Sequence, residues 1–194
     1  MKIFYYILFP LFFVLQLTAN SSAQGLDPFC HVEVISGAPV WFYFNNASDY
    51  ASGKTIQYNT VLRISYDKKP DKIIFHTQAV SDVFDGPSTP PLDSDNFKVK
   101  ISDFRYAGPS AGQIFGFVAE DWRVLTTSLT NIGRAWIINN TISETNPVFY
   151  VYLTFSCSPK HAGAFTNLIT DSYTNICNFS VQTWYTDATE AWPY

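Results

Sequence analysis

Between Val40 and Tyr66 the chain reads VWFYFNNASDYASGKTIQYNTVLRISY: an unbroken apolar and aromatic run, a polar stretch holding one glycine, and a second run that alternates. A repeat of two is the period of a strand, not of a helix. Leu62, Ile64 and Tyr66 fall on one side and Arg63 and Ser65 on the other, so the second run predicts a strand with one apolar face. Val40–Phe44 is apolar at every position, so either both faces are covered, as in the central strand of a sandwich, or one face is exposed. The Asn, Ser, Asp and Gly residues between the two runs favour a turn.

The rest of the chain repeats this grammar. Cys30–Ile35 alternates as an opening strand, closed by Gly37 and Pro39. The turn signal Lys68-Lys69-Pro70-Asp71 separates Val61–Tyr66 from IIFHT at Ile73–Thr77, and the spacing predicts a hairpin. Val80–Asn96, with its prolines and aspartates, reads as a surface loop; its acids do not have the spacing of an EF-hand calcium loop, so an ion there is a minor reading. Phe97, Val99 and Ile101 alternate with Lys98 and Lys100 as the clearest one-sided strand. Further strands are expected at Ile114–Val118 with Gly116 as a bulge, at Trp136–Ile138, at Val148–Phe155 and at Phe179–Tyr185, with turns at 107–112, 139–140 and 146–147. No amphipathic helix is apparent; 162–170 has room for a turn or two. Many short strands on one chain predict an all-β fold, an antiparallel immunoglobulin-like β-sandwich in a single domain.

That domain is expected to span 25–194. Residues 1–24 carry Lys2, an apolar run from Ile3 to Leu17 and small residues before Gln24, the layout of a signal peptide cleaved near Ala23 or Gln24. The run is short for a bilayer span of about 20 residues, and a retained N-terminal anchor is the alternative. No later segment is long and apolar enough to span, so the mature chain is expected to carry no transmembrane segment and to be secreted or held at the cell surface. A lipobox cysteine is excluded, because Cys30 follows Asp27, Pro28 and Phe29. The remaining length of about 170 residues suits one core. A charged share of 14% against a usual ~25%, with 18% aromatic residues, rules out a disordered chain. The net charge of -4 and the lack of a basic cluster argue against nucleic acid as a partner.

Export allows disulfides, and Cys157 and Cys177 are the candidate pair; closing their loop would contribute about 3 kcal/mol. Cys30 is then the candidate unpaired cysteine, although pairing with either of the others stays open. The absence of CxxC or HxxxH spacing argues against zinc, and no metal or cofactor is expected.

For catalysis, Asp49, Asp103, Glu120 and Asp121 supply acids that any chain of this kind would offer. His31, His76 and His161 stand singly, and neither a nucleophile elbow nor a phosphate-cradling glycine loop occurs. The chain reads as non-enzymatic. The aromatic excess is more informative: Trp41, Tyr43, Trp122, Trp136, Trp184 and Trp192, with Tyr150, Tyr152 and Tyr185, are candidates for a binding surface beside the plainer reading of a Phe- and Tyr-rich core. FYFNNASDYASGKT at 42–55 and LRISY at 62–66 resemble the opening strands of small exported β-sandwich proteins of Bacteroidota, which are fimbrial or adhesin-like. The resemblance rests on Phe42, Phe44, Asp49, Tyr50, Gly53, Leu62 and Ile64 and covers under a third of the chain. It implies a module for protein contact or self-association, through edge-strand pairing or aromatic burial. The ending TWYTDATEAWPY departs from an usher-type pilin in lacking a clean alternating final strand. The alternative is a carbohydrate-binding module that stacks sugars on exposed Trp and Tyr, with a glycan as partner.

Overall fold

The structure, a computed structural model, describes residues 11–21, 30–86, 91–108, 116–137, 142–143, 145–161, 165 and 172–185, with the side chains at 11–21, 58, 59 and 172 left aside. In chain order the elements are β1 (Leu11–Ser21), β2 (Cys30–Ser36), β3 (Val40–Phe44), helix α1 (Ala47–Ser52), β4 (Lys54–Tyr66), β5 (Lys72–Ala79), β6 (Val83–Phe84), β7 (Leu92–Asp93), a 3-10 turn (Ser94–Asn96), β8 (Phe97–Tyr106), β9 (Val118–Ala119), β10 (Arg123–Val124), β11 (Thr130–Trp136), β12 (Val148–Cys157) and β13 (Ser172–Trp184).

Two sheets face each other across an apolar core. One has six strands in the order β3–β1–β13–β5–β11–β9, the other five in the order β10–β8–β12–β4–β2, and β6 pairs with β7 apart from both. The fold is an all-β sandwich, and its pairings are antiparallel except that β1 runs parallel to β13. Local alternation explains each inner face. In β5, Ile73, Phe75, Thr77 and Ala79 are buried while Lys72, Ile74, His76 and Gln78 are half-covered. In β8, Phe97, Val99 and Ile101 point inward as expected.

Rings join the two sheets. Phe75 of the six-stranded sheet packs on Phe104 of the five-stranded one at 5.1 Å, and Phe104 stacks on Phe149 at 5.4 Å. Burial of each such side chain contributes about 1.5–3 kcal/mol. The core therefore consumes most of the phenylalanines, including Phe42, Phe44, Phe97, Phe155 and Phe179.

Several expectations are corrected by pairing that no local pattern encodes. Val61–Tyr66 and Ile73–Thr77 are not a hairpin: β4 pairs with β12 and β2 in one sheet, and β5 with β13 and β11 in the other, so Lys68–Asp71 carries the chain between sheets. Val40–Phe44 is not central but forms the edge of the six-stranded sheet. Its unbroken apolar character comes from three buried residues, Val40, Phe42 and Phe44, alternating with two exposed aromatics. The polar stretch after it holds α1 rather than a plain turn. Asn46 caps that helix by accepting from the Asp49 N–H at 2.9 Å, and Gly53 ends it at φ 77. A Cβ at Gly53 would also lie 2.3 Å from the Cys157 carbonyl oxygen. Gly116 sits in a turn at φ 84 before β9, which is shorter and later than the strand expected there. β11 ends where the expected 136–138 strand began, and β13 starts seven residues before Phe179. The turn at 139–140, most of that at 107–112 and the helical stretch at 162–170 lie outside the described residues, apart from Phe165.

Leu11–Ser21, read from the sequence as leader, forms β1 in the full chain. It lies between β3 and β13, in register from Phe12↔Ser172 to Ser21↔Val181 on one side and from Leu11↔Phe44 to Leu15↔Val40 on the other.

Candidate interaction surface

The sequence candidates for an aromatic surface divide into three places. Trp41 and Tyr43 project from the outer face of β3, 41% and 45% exposed, with their rings stacked at 6.2 Å and 17°. Alternation puts them there, because Val40, Phe42 and Phe44 are held in the core. Next in the chain after β3, Asp49 of α1 is fixed at 2.8 Å from the Asn45 N–H and 2.9 Å from Lys54 Nζ. The Asn45 hydrogen bond, then Lys54, holds its carboxyl below the usual carboxylate range.

The second place is the far end of the same sheet. Register sets Trp136 of β11, Lys72 of β5 and Trp184 of β13 abreast. Lys72 Nζ lies 5.7 Å from the Trp136 ring centre and 5.0 Å from that of Trp184, and Arg134 lies over Trp136 at 5.1 Å. Lys68 adds a third cation, 5.5 Å from the Tyr185 ring. Among the described residues, Lys68, Lys72, Lys100 and Arg134 lie over rings, whereas Lys54, Arg63, Arg105, Arg123 and Lys160 pair with carboxylates. No sequence motif announces this row, since its members are more than 40 residues apart and meet only through strand register.

The third place is on the other sheet. Trp122 lies over Lys100 at 4.8 Å and lines a cleft of about 300 Å³ with Thr55, Gln57, Glu120 and Thr154. Tyr150 and Tyr152 belong to β12 and are half-covered, Tyr152 beneath Arg105 at 5.0 Å. Trp192 lies outside the described residues.

Of the acids, Glu120 and Asp121 line the Trp122 cleft together with Lys100, while Asp103 is not among its lining residues. Asp103 accepts from Arg105 Nε at 2.6 Å, Glu120 from Arg123 at 2.7 Å, and Asp121 is exposed. In the 80–96 loop, Asp93 and Asp95 both bind Lys160 Nζ, at 2.8 and 3.1 Å, and Asp82 accepts from the Thr127 N–H. Among the described residues no group of three His, Cys, Asp or Glu side chains is placed to hold a metal. His31 is exposed beside Glu33, His161 is exposed, and His76 stands on the outer face of β5, where partial burial lowers its pKa.

The expected Cys157–Cys177 disulfide is not formed: both are free thiols. They stand on opposite sheets, Cys157 in register with Lys54 and Phe97, and Cys177 with Ala79. Nearness in sequence misled, because the connection between them passes from one sheet to the other. Burial raises both thiols, Cys177 to about 12, so neither is a nucleophile at neutral pH. Cys30 is buried at the start of β2, opposite Tyr66.

A larger hollow, about 520 Å³, lies between the 80–91 loop and β13 and is lined by Val80, Val83, Phe84 and Asn175 among others. The Asn175 amide donates to the Ser81 and Val83 carbonyls at 2.9 and 3.3 Å, which spends its polar group on tying the loop down. Among the described residues no helix is long and apolar enough to cross a membrane. The fold and surface define a β-sandwich with an aromatic edge strand. No family model matches the chain, and no curated protein matches it in sequence.

Proposed function

We propose that this chain is an exported, non-enzymatic β-sandwich that works through protein contacts at the cell surface or outside it, as an adhesin-like or filament-associated subunit. The carrying observation is the stacked, exposed Trp41–Tyr43 pair on an edge strand. Edge strands offer backbone groups to a partner, and rigid aromatics supply contact area at low entropy cost. The ion pairs that occupy Asp49, Asp103 and Glu120 support the non-enzymatic side of the reading. Light scattering on the exported protein, with pull-downs from its native surface, tests it. Trp41→Ala with Tyr43→Ala should abolish association and shift stability by no more than about 0.5 kcal/mol, as expected for exposed positions. A strict monomer that captures no partner would sink the reading. Reductant should change nothing, because the thiols at 157 and 177 are unbridged.

A second reading, carbohydrate binding, is favoured by the Trp136–Lys72–Trp184 row. Flat rings flanked by cations suit a sugar carrying a carboxylate or sulfate. Binding to acidic glycans on an array, lost on Trp184→Ala, supports it; a silent array counts against it.

A further inference from the structure

The six-stranded sheet is continuous only because β1 is in it. Among the described strands β3 has β1 as its hydrogen-bonded neighbour in the sheet, and β1 alone connects it to β13. Positions 11, 13 and 15 stand opposite Phe44, Phe42 and Val40, and positions 13, 15, 17, 19 and 21 opposite Tyr173, Asn175, Cys177, Phe179 and Val181. All eight of those partners are buried. The sequence at these core-side positions is Leu, Phe, Leu, Leu, Ala, Ser, and at the intervening ones it is Phe, Val, Gln, Thr, Asn. That is the pattern of a strand with one face on a core. Yet the same residues lie in the segment whose composition is that of a cleaved leader. Export and the closed sheet make opposite demands on one stretch of chain.

We propose that leader removal leaves a slot between β3 and β13, and that this slot is filled by an extended segment of a different polypeptide. The segment is about ten residues long, apolar at every second position, parallel to β13 and antiparallel to β3. Neighbouring strands are about 4.8 Å apart, so a missing strand leaves a gap of about 9–10 Å, the width for one strand. Both walls would then present unpaired backbone groups above buried rings, which is costly unless filled. Strand addition supplies backbone hydrogen bonds for affinity and side-chain pockets for register. Neither Gln24–Phe29 nor 186–194, which carries Asp187, Glu190 and Pro193, has the alternating apolar pattern that the slot requires. The proposal rests on the export half of the function above, not on the Trp41–Tyr43 face.

The test begins with the mass of the exported protein's N-terminus and proceeds with the mature chain, 25–194. A synthetic Leu11–Ser21 peptide bearing a solubilising tail should bind one to one and raise the melting temperature. It should slow amide exchange at Val40–Phe44 and Ser172–Trp184 by about tenfold or more. The same peptide with Leu15→Asp and Leu17→Asp should do neither. If the mature chain does not fold alone, a protease site placed at 23–27 of the full chain, cut after folding, allows a labelled peptide to be exchanged in. An exported chain that still begins before Leu11 overturns the proposal, as does a mature chain with protected β3 amides that ignores the peptide. Self-association of the mature chain that the peptide displaces overturns the choice of a different polypeptide. In each case, partner capture through Trp41 and Tyr43 is scored separately, so the contact function can stand while the slot falls.

Discussion

The two sheets of this sandwich are held in different ways. In the five-stranded sheet the central pair, β12 and β4, is paired from Val148↔Ser65 to Cys157↔Lys54, and β8 and β2 flank it, all from residues after 29. In the six-stranded sheet, β3 joins the rest through a strand from the leader-like N-terminus. Sheet continuity is therefore intrinsic on one side and borrowed on the other. The exposed aromatic pair lies on the borrowed side.

The largest effect that would break this comparison is removal of residues 1–23. The buried Val40, Phe42 and Phe44 of β3 lose the strand that joins them to the sheet, at about 1.5–3 kcal/mol each if they become exposed, which is comparable with the whole stability of a domain. Hydrogen exchange should show β3 and the β1-facing amides of β13 opening while β12 and β4 stay protected; uniform loss of protection would show that the sheets are not separable. Next is Phe149→Ala, at the centre of the intrinsic sheet, where Phe149 packs on Tyr66, Phe104 and Tyr106. Urea unfolding should register a loss of about 3–5 kcal/mol, in the chain with or without its leader. A much smaller loss would mean that the core is not organised around this ring.

The smallest effect is a pH dependence. The lowered pKa of Asp49 means that its contribution is present above the unfolded carboxylate value of 3.8 and is lost as pH falls through the folded one. Protection factors of the Asn45 and Gly53 amides, taken relative to the intrinsic exchange rate at each pH, should fall between pH 6 and pH 3, and Asp49→Asn should remove the difference. Equal protection at the two pH values would show that the carboxylate does not hold α1.

The inner face of β8 was legible in the sequence because alternation is local: Phe97, Val99 and Ile101 need no partner to declare a side, whereas β3 was read as the centre of the sandwich. Exposure of Trp41 and Tyr43 follows from the same rule once their neighbours are inward. The Trp136–Lys72–Trp184 row was not legible, because it exists only where three strands are in register. The Cys157–Cys177 expectation failed for the related reason that short separation along the chain does not fix which sheet each residue joins.

By itself the sequence determined that this chain is all-β and where several of its strands and the inner face of β8 lie, since a period of two and turn chemistry act over a few residues. Only the tertiary structure decided that β4 and β5 part to different sheets, that Val40–Phe44 is an edge, and that Leu11–Ser21 has the pattern and place of a strand. Those outcomes depend on pairings between residues far apart, whose loop-closure cost is met by the core as a whole and is written in no local pattern.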